Sequence, residues 1–183
     1  ELERDVYEQP TSDGHLEAMK EVLASWVFQK PDIKTILDIG CGHGESLEFG
    51  ASYGKYVEGV TLDPDYSWIV ANKPDIASRV HNANMHFLDF PDKQFDAIFI
   101  RHALEHSYMP LILLKNLHRM TKRFVYVIVP PHTVGVVGDN HYSILTIPMW
   151  ERLFELAGFA ISDRSERVEP VAEIRWQIEK KIL

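Results

Sequence analysis

The chain has 183 residues, 45% of them apolar and 25% charged, a globular balance that excludes a fibrous or disordered protein. A formal charge of −8 repels phosphate backbones and argues against a nucleic-acid substrate. No apolar run reaches the ~18 residues needed to cross a bilayer, and the single Cys41 excludes an internal disulfide framework and fits a reducing, cytoplasmic compartment.

Ser12 and Asp13 open a predicted helix over about 13–30 that carries Leu16, Met19, Leu23, Trp26 and Val27 on one face and stops at Pro31. Residues 35–39 read as a short buried strand running into glycines, and a helix over 45–53 follows, closed by Gly54. Residues 56–62 are a second strand ending at Asp63, so strand, turn, helix and strand fill the ~30 residues of one βαβ unit. A short helix over 65–72 and a weak third strand over 84–87 come next, then a buried strand over 95–100.

Pro110 starts a helix with Leu113, Leu114, Leu117 and Met120 on one side; proline fits a first turn because its missing N–H would be unpaired there. Residues 124–129 form the most β-prone run, which Pro130 and Pro131 end, and a loop reaches about Leu145. A helix over 148–157 has Thr146 as its expected cap and Gly158 as its stop. Two strands, 159–164 and 174–180, follow with no helix between them, and Ile174, Trp176 and Ile178 alternate with Arg175, Gln177 and Glu179 as on a sheet with one more exposed face. The pattern predicts one α/β domain over residues 1–183, a mostly parallel sheet closed by an antiparallel strand, with the first helix preceding the core.

The turn Asp38-Ile39-Gly40-Cys41-Gly42-His43-Gly44 lets backbone approach a ligand, because glycine has no Cβ, and the next helix aims its first N–H groups there. Asp63, at the end of the following strand, is placed to accept the hydroxyl protons of a ribose. Together these indicate an adenosine-type cofactor. A dinucleotide fingerprint wants its third glycine three positions after the second, where this chain has Glu45, so a nicotinamide-dependent oxidoreductase is the weaker reading.

Residues 36–44 resemble the first motif of class I S-adenosylmethionine-dependent methyltransferases. Phe90-Pro91-Asp92-Lys93-Gln94-Phe95-Asp96, then Ala103-Leu104-Glu105-His106, then Asn140-His141-Tyr142-Ser143 and Ala157-Gly158-Phe159 are similar, in the same order, to later motifs of small single-domain members. The resemblance implies a Rossmann-like three-layer sandwich with a seven-stranded sheet whose last strand is antiparallel, and S-adenosylmethionine as cofactor. It implies that Asp38, Gly40, Cys41, Gly42 and Gly44 hold the methionine end and Asp63 the ribose. It also implies that Asn84 and Met85 lie at the adenine, with the Asn84 oxygen accepting from its amino group. Arg101 and His102 would lie beside the sulfonium.

Histidine suits proton transfer near neutral pH. His141, in the loop at the carboxyl edge where open α/β sheets bind ligands, is the first candidate for a base and His102 the second, with Tyr142 or Asp139 orienting. His102-Ala103-Leu104-Glu105-His106 also reads as H-x-x-E-H, a zinc-peptidase pattern that needs a regular helix. Pro110 follows too closely for one, so no metal is expected. His15, His81, His86 and His118 read as residues without chemistry, Cys41 as packing. The expected reaction is methyl transfer to an O or N atom of a small molecule; a non-catalytic cofactor-binding domain is the alternative. Oligomeric state is not legible.

Overall fold

A computed structural model describes residues 12–133, 140–169 and 171–181. Its sheet forms because apolar side chains alternate along strands covered on both faces. β1 (Thr35–Ile39), β4 (Phe95–Arg101) and β5 (Thr121–Val129) send Leu37, Ile39, Ile98, Ile100, Val125 and Val127 into one core. Ile36, Ala97, Phe99, Phe124, Tyr126 and Ile128 enter the opposite one. With β2 (Tyr56–Thr61), β3 (Val80–Asn82), β6 (Phe159–Arg167) and β7 (Glu173–Lys180) the order is β3-β2-β1-β4-β5-β7-β6. β7 alone runs against the rest, antiparallel to both β5 and β6. This is the expected Rossmann-like α/β sheet.

Helices α1 (Asp13–Val22), α2 (Glu45–Ser52), α3 (Asp65–Asn72) and α4 (Pro74–Ala77) cover the second core through Met19, Val22, Leu47, Ile69 and Ile76. Helices α5 (Pro110–Met120) and α6 (Ile147–Leu156) cover the first through Leu113, Leu117, Trp150 and Phe154. Among the described residues no helix is long and apolar enough to cross a membrane.

Four expectations shift. The first helix widens into a π-helical turn over Leu23–Phe28 and ends there. The third strand is Val80–Asn82, before the predicted one: the Asn84 side chain accepts from His86 N and caps a 3₁₀ turn over Met85–Phe87, so 84–87 cannot extend. Thr146 stands at the start of α6 without a side-chain cap bond. On β7, Arg175 is buried rather than on an exposed face, because α1 lies over it and supplies Glu21 to its guanidinium at 2.9 Å. Of the loop after β5, residues 134–139 lie outside the described residues, and Asp139 with them.

The strand order reverses between β1 and β4, the crevice where open α/β sheets receive ligands. The carboxyl ends of β1 to β5 face that edge, and β7, running the other way, brings its first residue there.

Candidate active site

Three positive φ angles, +81° at Gly40, +50° at Gly42 and +81° at Gly44, bend the chain from β1 into α2; other residues adopt this region rarely. The turn is anchored from behind, with Gly40 N and Cys41 N both donating to Val60 O at 2.9 and 3.1 Å. A Cβ on Gly40 would stand 2.8 Å from Ala103 Cβ, and one on Gly44 would stand 2.5 Å from Ile76 Cδ1. At these two positions the bare backbone accommodates neighbouring protein. Gly40 is exposed and Gly42 half-exposed, whereas Cys41, His43 and Gly44 are buried, so the turn meets solvent at its first two glycines. Cys41 is buried with its thiol pKa pushed up, chiefly by burial, and its Sγ fills the space that a Cβ on Gly59 would occupy. It packs, as expected.

Asp38 is buried at the end of β1. Burial raises its carboxyl to about 7, against the opposing pull of a Ser46 hydroxyl bond and the Arg101 charge. Asp63 is exposed. Its Oδ1 accepts from Ser67 N and Oγ at 3.0 and 2.5 Å and its Oδ2 from Asn82 Nδ2 at 2.7 Å, which hold it ionised below the usual carboxylate range. Asn84 Oδ1 accepts from both His86 N and His86 Nδ1 at 2.9 Å. The oxygen that sequence reading gave to an adenine amino group therefore already serves the local turn. Met85 is half-buried beside it against the first core.

At the end of β4 the chain places charge on the face under α1. Arg101 Nε donates to Glu173 Oε1 at 2.7 Å, and its Nη2 meets His15 Nδ1 at 3.3 Å. His102 follows at φ +48°, a strained value for a side-chain-bearing residue. Its Nε2 lies 3.2 Å from Glu173 Oε1 and its Nδ1 3.4 Å from Glu105 Oε1. Burial disfavours charge on the ring, yet the two carboxylates outweigh it and raise the His102 pKa. Glu173, likewise buried, is held at about 2 by His102 and Arg101.

The segment after β4 folds as a 3₁₀ turn, Leu104–His106, not the long helix of a zinc peptidase. The loop after β5 closes on it: Ser143 N donates to Glu105 O at 2.9 Å and Ser143 Oγ to Ser107 O at 2.6 Å. This brings the His141 ring within 4.7 Å of His106, edge to face. His106 Nδ1 lies 3.1 Å from Asn140 O, and burial lowers its pKa.

The structure therefore gathers Asp38, the glycine turn, Arg101 and His102 around the β1–β4 crevice and sets Asp63 just past the end of β2 and Asn84 and Met85 in the turn after β3. His141 lies against the 104–106 turn. Four contributors escaped sequence reading. Glu173 and His15 have no local motif. His86, read as inert, is buried and bonds Ser107 Oγ at 2.8 Å. His43 stacks on Trp68 at 3.8 Å and faces Asp65 at 3.4 Å.

A family model described as a methyltransferase domain matches residues 37–129, just over half of the chain. No curated protein matches it in sequence. Among solved structures the chain is similar to a SAM-dependent methyltransferase from Archaeoglobus fulgidus, with TM-score 0.72 and 18% identity over 90% of this chain and 94% of that one. It is similar to a Synechocystis magnesium protoporphyrin IX methyltransferase with bound SAM, with TM-score 0.73 and 14% identity over 98% and 90%. It is also similar to the 4+2 cyclase SpnF, with TM-score 0.74 and 14% identity over 97% and 85%. At these identities the structural likeness is one of fold, and fold alone does not fix a reaction.

Proposed function

The chain belongs to the family of methyltransferase domains, and on that premise we propose that it transfers the methyl group of S-adenosylmethionine to an oxygen or nitrogen atom of a small organic acceptor. One observation carries the reading: an open glycine turn at the β1–β4 crevice stands between a buried carboxyl, Asp38, and an exposed, pre-bonded carboxylate, Asp63. That set fits a cationic nucleoside, with the Asp38 carboxyl for the ammonium end and the Asp63 carboxylate as an acceptor for the ribose hydroxyls.

S-adenosylmethionine supplies an electrophilic methyl group on a positively charged sulfur. The protein's own task is alignment, worth about 7–11 kcal/mol where reacting atoms are held in line. Asp38, Gly40, Cys41, Gly42 and Gly44 hold the methionine end, Asp63 the ribose, and Asn84 with Met85 flank the base. Arg101, neutralised by Glu173, fixes the floor beside Asp38. His102 sits between Glu105 and Glu173, which favour its protonated form, so its part is positioning rather than proton acceptance. The proton-accepting role falls to His141, with Tyr142 beside it to orient the acceptor.

A small, partly apolar acceptor is favoured by the exposed Phe87, Tyr108, Tyr142 and Ile144, which lie on segments tied together through His86–Ser107 and Ser143–Glu105. The acidic balance disfavours nucleic acid. We take residues 1–183 to act as one domain, and the buried single thiol of Cys41 fits a cytoplasmic setting.

The test is calorimetry with S-adenosylhomocysteine. Wild type is expected to bind at micromolar Kd, about 8 kcal/mol, and Asp63→Ala to lose that binding while keeping its thermal transition. Absence of binding heat with wild type removes the proposal.

A further inference from the structure

Glu105 is 2% exposed, and neither carboxylate oxygen has a hydrogen-bond partner among the described residues. On one side, His102 Nδ1 makes an ionic contact with Oε1 at 3.4 Å. On the other stand His106 and His141: one nitrogen from each ring and one Glu105 oxygen all lie within 4.8 Å of one another. A buried carboxylate whose one ionic contact is a histidine at 3.4 Å is under-compensated, and proteins keep such groups fully paired or coordinated to a cation.

The tautomer agrees. His106 Nδ1 donates to the Asn140 carbonyl at 3.1 Å, which makes Nε2 the lone-pair atom of the neutral ring. A carbonyl that fixes the far nitrogen in this way is the usual outer support of a metal-binding histidine. The backing is rigid on both sides, since Ser143 ties the His141 loop to the carbonyls of Glu105 and Ser107.

We infer that Glu105, His106 and His141 form a site for a divalent transition-metal ion of the zinc or manganese class. Two imidazoles and one carboxylate bind such ions while leaving a coordination position open. Ligands about 2.1 Å from zinc stand roughly 3.4 Å apart, so the present spread closes by modest turns of the two half-buried rings. The inference rests on His141 facing the acceptor and changes its role there from proton acceptor to ligand. The open position takes a hydroxyl oxygen of the acceptor and lowers its pKa, which narrows the acceptor class to alcohols and phenols. The hydroxyl proton leaves to water and an oxygen lone pair forms the new bond to methyl. The sulfur–carbon pair returns to sulfur.

Protein stripped with EDTA and dialysed is titrated with Zn²⁺ and, separately, Mn²⁺, and metal retained after gel filtration is counted. Wild type is expected to bind about one equivalent of one of these ions. His141→Ala and Glu105→Gln are each expected to weaken binding about tenfold or more. His81→Ala, at the unrelated His81–Glu58 pair, leaves it unchanged. Because Glu105→Gln also disturbs the contact with His102, the loop variant His141→Ala decides. No uptake by wild type, or equal uptake by wild type and His141→Ala, overturns the site. S-adenosylhomocysteine titrations of the same samples keep the two readings apart. Cofactor binding without metal uptake sinks only the metal site, and metal uptake without cofactor binding upholds it and sinks the methyl-transfer reading.

Discussion

Asp38 shows how a single buried carboxyl can trade stability for binding. Its pKa is raised from 3.8 to about 7 by burial, so the folded state favours the neutral form. The stability this provides is complete below about pH 3.8 and is lost as pH rises through 7, on the order of 4 kcal/mol by linkage. The ammonium group of the ligand's amino-acid end wants the ionised form. Affinity for S-adenosylhomocysteine is therefore expected to rise about tenfold between pH 6 and 8 as Asp38 ionises. Asp38→Asn should flatten that profile, weaken binding, and yet be more stable than wild type at pH 8. Calorimetry across pH and urea denaturation at pH 5 and 8 check both halves; a variant less stable at pH 8 contradicts the argument. The positions of Asp38 and Asp63 at the ends of β1 and β2 were legible because each adjoins its glycine turn or strand end in the chain. Glu105 and His106 lay within a resembling motif, but their meeting with His141 depends on how Ser143 folds the later loop back.

At the scale of elements, the turn between β1 and α2 depends on glycine for two reasons at once. At φ +81° a side chain costs roughly 1–2 kcal/mol, and at both Gly40 and Gly44 a Cβ also meets a neighbour. The neighbours differ in kind. Ala103 Cβ is fixed to its backbone, whereas Ile76 Cδ1 is the movable end of a side chain. Gly40→Ala is therefore expected to destabilise more than Gly44→Ala, by about 1 kcal/mol or more, although its clash distance is the longer of the two. Equal midpoints in chemical denaturation would refute this ordering. β1, β4 and β5 were read from apolar runs that report burial on both faces directly. β3 was misplaced because three residues carry too little periodicity, and because an Asn84 cap can end a strand as easily as it can begin a turn.

Across the whole molecule, a charged layer, buried at Glu173 and Arg175 and exposed at Glu21, joins α1 to three strands. Glu173 holds Arg101 at 2.6 Å and Arg175 at 2.7 Å, Arg175 reaches Glu21, and Arg167 pairs with the same carboxylate. Removing one member of a buried set leaves uncompensated charge, so Glu173→Ala is expected to cost about 3–5 kcal/mol. The loss should change little between low and high salt, because water does not screen it. The exposed Arg152–Glu155 pair is expected to contribute under about 1 kcal/mol and to fade with salt. Denaturation of both variants at two ionic strengths measures the contrast. None of this layer was legible, since strand alternation put Arg175 on an open face and only the docking of α1, some 150 residues away in the chain, closes it.

The reversed direction of β7 has a consequence for biogenesis. Of the residues that line the crevice, Glu173 is the last to leave the ribosome, after the glycines, acids and histidines beside it. Until it arrives, Arg101 lacks the anion that neutralises it, and His102 has only Glu105. A nascent chain can thus shape the cradle for the nucleoside early, but the floor beside it acquires its counter-charge only when the final strand threads between β5 and β6.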